Sequence, residues 1–132
     1  MNENILRKIF NGKHNRKDRR GNLIPSFQNT TFEQFKSWFK QEEYDKGCCY
    51  CGITHEQSLM LADLRPKATR GGKRCNRLEL ERLDPFQPYD NLDNLGWCCY
   101  WCNNAKSNFF APNEFIPIGQ AIGKALRNIK TD

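Results

Sequence analysis

The chain has 132 residues and a formal net charge of +6, a size that fits one domain whose modest core benefits from an added cross-link. No apolar run approaches the roughly 20 residues that a membrane span needs, and the N-terminus lacks the apolar stretch of a secretory signal peptide. We therefore expect a cytoplasmic protein with no membrane partner, whose seven cysteines stay reduced. In a reducing compartment, cysteines paired two residues apart bind metal more often than they form disulfides.

The positive charge is concentrated in two segments. Residues 1–20 contain seven Lys or Arg and two acids, and residues 65–77 contain six Lys or Arg and no acid. Clustered cations are the expected footprint for a polyanion, because they displace counterions from phosphates; solvated, mobile segments are the alternative. We expect a basic N-terminal arm over 1–29 and a single domain over 30–132. The cations predicted to contact nucleic acid are Arg65, Lys67, Arg70, Lys73, Arg74, Arg77 and, farther along, Lys106.

The first strong helical pattern follows this arm. Thr30 or Thr31 can serve as the N-cap, and aromatic residues recur at helical spacing from Phe32 to Phe39. The pattern predicts an amphipathic helix whose aromatic stripe packs on the core rather than stacking on nucleic-acid bases.

Strand and helix signals alternate in the second half of the chain. The stretch after the first cysteine pair reads as irregular and includes a loop at Gly71 and Gly72. Alternating residues from Leu78 predict one strand, and the sequence LGWCC predicts a second. A helix then opens at the second cysteine pair. A C-terminal helix is predicted over 113–129, with its regular part beginning at Pro117.

Two Cys-x-x-Cys pairs form the strongest motif. Cys48 with Cys51 and Cys99 with Cys102 supply four thiolates, the ligand set of a structural tetrahedral zinc site. An iron–sulfur centre and free thiols are the alternatives. The 47 residues between Cys51 and Cys99 greatly exceed the roughly 15 to 20 of a compact two-pair site. A sizeable unit is therefore inserted between the pairs.

Spacing decides which cysteines are ligands, because Cys49 and Cys98 lie next to the two pairs. Only Cys48 and Cys99 give both pairs the two-residue spacing. Cys49, Cys75 and Cys98 are then predicted to be small buried side chains.

The string CCYCG, the strand LELERLDP and the segment DNLGWCCYWCNNAK resemble, in this order, the zinc-stapled four-cysteine type of the HNH, or ββα-metal, endonuclease family. The resemblance covers the motif core 48–106. In that family a strand with an Asp-His pair precedes a loop with an Asn, and a helix supplies a final His or Asn. The corresponding residues here are Glu81, Arg82, Asn94 and Asn103.

The resemblance implies a metal-dependent endonuclease that hydrolyses phosphodiester bonds of DNA, with RNA as an alternative substrate. Glu81 and Asn103 would bind a catalytic Mg²⁺ or Mn²⁺, because carboxylate and amide oxygens are hard ligands. Asn94 would fix its loop or orient the catalytic base. The sequence does not choose among roles in bacterial defence, phages or mobile elements, and any protein partner stays unidentified.

The sequence departs from the family pattern at the usual position of the catalytic His. Arg82 stays protonated and cannot act as an ordinary base, although its guanidinium can grip a phosphate. Glu79 and Asp84 are the nearby candidates for a base, and Glu79 shares a strand face with Glu81. The structural alternative for Glu81, Arg82 and Asp84 is a surface ion-pair ladder beside a zinc-stabilised hairpin.

These patterns predict an α+β fold in which a two-stranded hairpin and a helix form a small ββα-metal motif, with a four-cysteine zinc knot and flanking helices. Two functions compete with the endonuclease hypothesis. One is a catalytically degenerate nucleic-acid-binding module, which would bind DNA in a salt-sensitive way without cutting it. The other is a zinc-stapled module that binds another protein.

Overall fold

The computed structural model describes residues 1–68 and 74–129. Within these residues a two-stranded antiparallel sheet lies among six α-helices, which confirms the predicted α+β class. None of these helices has the length and apolar composition that crossing a bilayer requires. The elements are α1 Glu3–His14, α2 Phe32–Trp38, α3 Gln41–Asp45, α4 His55–Leu64, β1 Glu79–Arg82, β2 Leu95–Cys98, α5 Tyr100–Lys106 and α6 Pro112–Arg127, with a 3-10 turn at Leu92–Asn94.

Part of the predicted basic N-terminal arm forms helix α1, Glu3–His14. Asn2 caps the helix by accepting a hydrogen bond from the backbone N–H of Ile5 at 2.9 Å. Leu6 and Phe10, at i,i+4 spacing, are buried, and the Phe10 ring stacks on Phe27 with 4.8 Å between centroids. A short apolar stripe is therefore enough to dock this basic helix on the core.

The predicted aromatic helix is divided into α2 and α3. Thr31 and Gln34 form the capping box that starts α2, as the N-cap signal indicated. The backbone turns to an extended conformation at Phe39, and this turn brings the rings of both Trp38 and Phe39 to about 6 Å from Trp97. Packing around Trp97 thus coincides with the break in the helix.

Helix α4 replaces the irregular stretch that the sequence predicted after the first cysteine pair. Its N-terminus is a second capping box, between Thr54 and Gln57. Ser58 connects the helix to the segment that precedes β1, because its hydroxyl donates to the Cys75 carbonyl at 2.6 Å. The Thr-x-x-Gln spacing is a local signal for the start of this helix.

The hairpin has a register that sorts its side chains into two faces. Leu80 lies opposite Trp97, and both are buried in the apolar core. Because side chains alternate along a strand, Glu79 and Glu81 share the other face. Helix α5 contacts β1, so this face supplies the acids of the candidate site.

Helix α6 corresponds to the predicted C-terminal helix but starts earlier, at Pro112, and ends earlier, at Arg127. Proline fits the first turn of a helix, where its missing N–H has no intrahelical partner, and Pro117 is accommodated one turn later inside the helix. Two glycines let α6 approach the first cysteine pair closely. A Cβ on Gly119 would lie 2.7 Å from the Cβ of Tyr50, and one on Gly123 would lie 2.8 Å from the Cys51 carbonyl oxygen.

We expect Gly123→Ala to lower the free energy of unfolding by about 1–3 kcal/mol, because the added methyl group overpacks the contact with a backbone carbonyl. The measurement is urea unfolding followed by circular dichroism. Gly12→Ala is the matched control, since a Cβ there meets no atom within 4 Å and alanine favours the helix by up to about 1 kcal/mol. Equal effects of the two substitutions would contradict the close packing of α6.

Candidate active site and metal centre

Four buried thiols lie together in the core. The Sγ atoms of Cys48, Cys51, Cys99 and Cys102 all lie within 4.8 Å of one another, and those of Cys51 and Cys99 are 3.5 Å apart. A tetrahedral zinc ion with Zn–S bonds of about 2.3 Å places its sulfur ligands about 3.8 Å apart. The four thiols therefore fit a bound metal such as zinc, and they are the four predicted from their spacing.

Local backbone geometry shapes the first half of this cluster. Gly47 and Gly52 adopt positive φ angles of 90° and 77°, which glycine tolerates without steric cost. Between them the chain folds back, with the N–H of Cys48 donating to the Ile53 carbonyl at 2.8 Å. In the second half, Cys99 is the N-cap of α5 and its sulfur accepts from the N–H of Cys102 at 3.4 Å.

The remaining cysteines occupy three different environments. Cys98 and Cys75 are buried as predicted, but the prediction is wrong for Cys49, which is exposed. The Cys49 N–H donates to the Trp97 carbonyl at 2.8 Å, so backbone pairing places this residue at the edge of the hairpin. Burial raises the pKa of the Cys98 thiol.

A carboxylate–amide pair lies where β1 meets α5. The Asn103 side-chain amide donates to Glu79 Oε1 at 2.7 Å. The Arg74 guanidinium binds the same carboxylate in a fork, at 2.7 Å to Oε2 and 2.6 Å to Oε1. Burial acts to raise the pKa of Glu79, but the hydrogen bonds from Arg74 and Asn103 outweigh it and lower the pKa. Glu79 is therefore an ionised carboxylate with both oxygens engaged.

Glu81, on the same strand face, is in a different state. Its side chain is only 8% exposed, and its Oε2 atom is buried without a hydrogen-bond partner among the described residues. Burial raises the pKa of Glu81 to about 7, and the charge of Lys106 opposes the increase. One buried carboxylate oxygen is thus available for a ligand or an ordered water.

The position of Lys106 corrects its predicted role as a DNA contact. Its side chain is fully buried, and the ammonium lies 5.9 Å from the centre of the Tyr50 ring. The amphipathic helix α5 turns this residue inward, where its charge acts on Glu81. Lys106 is therefore buried inside the site, where its ammonium has no hydrogen-bond partner among the described residues, and it does not face a polyanion.

Asn94 and Asp84 shape the loop after β1. The Asn94 side chain accepts from the Asp84 N–H and donates to the Asp84 carbonyl, both at 2.9 Å. The Asp84 carboxylate in turn accepts from the N–H of Phe86 at 2.9 Å. These bonds hold the Asn94 side chain against the loop and occupy the Asp84 carboxylate in a turn. The roles expected of both residues in catalysis stay predictions.

Arg82 lies at the end of β1, on the face opposite Glu79 and Glu81. Its guanidinium carbon is 4.9 Å from the centre of the Tyr89 ring. The side chain is half-buried. It is therefore partly accessible to an anion next to the acidic strand.

A basic cleft of about 420 Å³ opens over Glu79 and Asn103. Helix α1 forms one wall, which the sequence analysis missed because it treated residues 1–29 as an arm. The cations that line the cleft are Lys8, Lys13, Arg16, Arg74 and Arg77. The cleft thus combines positive walls with a carboxylate–amide floor, a setting that attracts anions and can position them.

The predicted basic segment contributes to this cleft only in part. Arg74 and Arg77 line it, whereas Lys67 is exposed beyond the end of α4 and Arg65 is the C-cap of that helix. Arg70 and Lys73 fall outside the described residues. The role of the whole basic segment in contacting nucleic acid stays a prediction.

Comparison with known proteins supports the predicted resemblance. No protein-family model matches the chain, and no curated protein matches it. A solved structure, that of the rare-cutting HNH restriction endonuclease PacI described for its mechanism of DNA perturbation, is similar with a TM-score of 0.65 and 26% sequence identity. The similarity covers 92% of this chain and 76% of that one. The resemblance to HNH endonucleases and the α+β fold with its four-cysteine cluster are thereby confirmed.

Proposed function

We propose that this protein is a metal-dependent endonuclease that hydrolyses phosphodiester bonds of DNA. One observation carries the proposal: the carboxylate–amide pair of Glu79 and Asn103 forms the floor of a cleft whose walls carry five cations. Phosphodiester hydrolysis needs cationic groups that bind the backbone and oxygen ligands for an ion at the reacting phosphate. The similarity to a DNA-cutting enzyme of this fold is consistent with that assignment.

Glu81 and Asn103 are the proposed ligands of the catalytic ion. Glu81 offers a buried oxygen without a partner among the described residues, and carboxylate and amide oxygens suit Mg²⁺ or Mn²⁺. When bound, such an ion lowers the pKa of its water and neutralises charge that develops on the phosphate.

Glu79 is proposed to position Asn103 rather than to act as a base. Its two oxygens already accept three hydrogen bonds from Arg74 and Asn103. A carboxylate so engaged is weakly basic, as its lowered pKa shows. By donating its N–H to Glu79, the Asn103 amide leaves its own carbonyl oxygen for another partner.

The test is the conversion of supercoiled plasmid to nicked and linear forms by purified, zinc-loaded protein. We expect cleavage with Mg²⁺ or Mn²⁺ and none when these ions are omitted. The reason is that the proposed oxygen ligands act by holding the divalent ion that neutralises charge on the phosphate. Omission is preferable to a strong chelator, which would also remove a structural zinc ion. Cleavage that is unaffected by the divalent ion would contradict the proposal.

A second candidate function is DNA binding without cleavage, and Arg82 is the observation that favours it. An arginine stands where the family has its base, and it stays protonated at neutral pH. Salt-sensitive DNA binding with no cutting under any divalent ion would support this reading. Absence of both binding and cutting would favour a protein-interaction module.

A further inference from the structure

Two cations from different elements lie over the ring of Tyr89. The Lys13 ammonium, from α1, is 5.0 Å from the ring centre, and the Arg82 guanidinium carbon, from β1, is 4.9 Å away. The ring is itself fixed, because Tyr89 is buried and packs against Phe27 with 5.6 Å between centroids. Tyr89 therefore brings to one ring two charges that are far apart in the sequence.

Neither cation forms a salt bridge with an acid among the described residues. Like charges that share one ring repel each other, and the repulsion is relieved when an anion binds between them. Both side chains are half-buried rather than fully exposed, so an anion that bound there would be screened less by salt than one on the open surface.

The pair lies beside the proposed active site. Lys13 lines the cleft that contains Glu79 and Asn103, and its charge acts on the carboxylates of Glu79 and Glu81. Arg82 directly follows Glu81 in β1. An anion held by the two cations would therefore sit at the edge of the cleft.

We propose that Lys13 and Arg82 together bind one phosphate group of the DNA backbone, with Tyr89 as the support that sets their spacing. A phosphodiester has two unesterified oxygens, which match one ammonium and one guanidinium fork. The inference rests on the proposed function. It adds one contact with a backbone phosphate next to the cleavage site, to which helix α1 contributes Lys13. Lys13 and Arg82 touch the DNA in this scheme, and Tyr89 is the positioning residue.

The competing explanation is that both contacts with Tyr89 serve packing alone. Lys13→Met separates the two, because methionine retains most of the apolar stem against the ring and removes the charge. A packing role predicts that the substitution changes the melting temperature and leaves the salt dependence of DNA binding unchanged. A phosphate-binding role predicts that the salt dependence changes and the melting temperature does not.

The first measurement is the salt dependence of duplex binding, which is monitored by fluorescence anisotropy of a labelled duplex. The protein is loaded with zinc, and Ca²⁺ replaces Mg²⁺. We expect Lys13→Met and Arg82→Met each to reduce the slope of log K against log salt by about 0.9, the value for one lost phosphate contact. Lys124→Met, on the exposed face of α6, is the matched control and should leave the slope unchanged. A wild-type slope in both site variants would overturn the inference.

The second measurement identifies the phosphate. Duplexes are prepared with a single neutral methylphosphonate at successive positions along one strand. At the contacted position, the methylphosphonate should weaken binding by the wild-type protein but should not weaken binding by Lys13→Met any further. At every other position, the loss of affinity from the substitution and the loss from the methylphosphonate should add. Arg82→Met should give the same position, and two different positions would refute a shared site. If wild-type protein shows no salt-dependent binding at all, the proposed function itself fails, which is a distinct result.

Discussion

Cys102→Ser is expected to yield a protein that neither retains zinc nor unfolds cooperatively. The four-thiol cluster joins the first cysteine pair, the end of β2 and the start of α5, and α6 packs on that pair through Gly123. Structural zinc contributes about 10–16 kcal/mol in zinc-finger peptides, as much as or more than the roughly 5–15 kcal/mol net stability of a domain. Losing one ligand should therefore unfold much of the chain.

The measurements are zinc content per chain by atomic absorption and thermal unfolding by circular dichroism. Cys49→Ser is the matched control, because its thiol is exposed and adjacent to a ligand in sequence. That variant should retain one zinc ion and the wild-type melting temperature. Cys98→Ala should also retain zinc, with a loss of about 1 kcal/mol for the small cavity. Zinc loss in Cys49→Ser but not in Cys48→Ser would move the ligand set by one residue.

The metal centre and the hairpin were predictable because their signals are local. Two-residue cysteine spacing restricts which sulfurs can meet at one ion, and alternation from Leu78 to Arg82 identifies the strand and the face shared by Glu79 and Glu81. The Asn94 loop followed from the family resemblance. In each case the relevant partners lie within one motif.

The features that were missed depend on long-range packing. Nothing near α1 in sequence indicates that Lys13 would lie beside Glu79, Glu81 and Tyr89, because the docking is decided by Phe10 against a distant aromatic core. The burial of Lys106 follows from the rotation of α5 on the sheet, which a seven-residue helix defines poorly by its pattern. A charged residue is also predicted to be exposed by default.

The resemblance and the geometry assign Asn103 to different neighbours. By motif, Asn103 would share an ion with Glu81, whereas the hydrogen bond of its amide goes to Glu79. Both arrangements are satisfied if Glu79 orients the amide and Glu81 supplies the open ligand atom. The two carboxylates then have separable roles: Glu81 touches the ion, and Glu79 acts through Asn103.

We therefore expect Glu81→Gln and Asn103→Ala each to lower the rate of plasmid nicking by about 10²–10³-fold, in line with the loss of one group that stabilises developing charge. Glu79→Gln should cost less, about tenfold, because the glutamine carbonyl can still accept from Asn103. The measurement is the single-turnover nicking rate at saturating protein, so that changes in DNA affinity do not contribute.

Binding and folding controls separate chemistry from stability. All three variants should bind duplex DNA as tightly as the wild type in Ca²⁺ and retain one zinc ion per chain. Glu81→Gln removes a buried carboxylate whose pKa is raised to about 7, so it should not destabilise the fold at neutral pH. If Glu79→Gln abolishes nicking while Glu81→Gln nicks at the wild-type rate, the ion lies between Glu79 and Asn103 and the assignment of the two carboxylates must be exchanged.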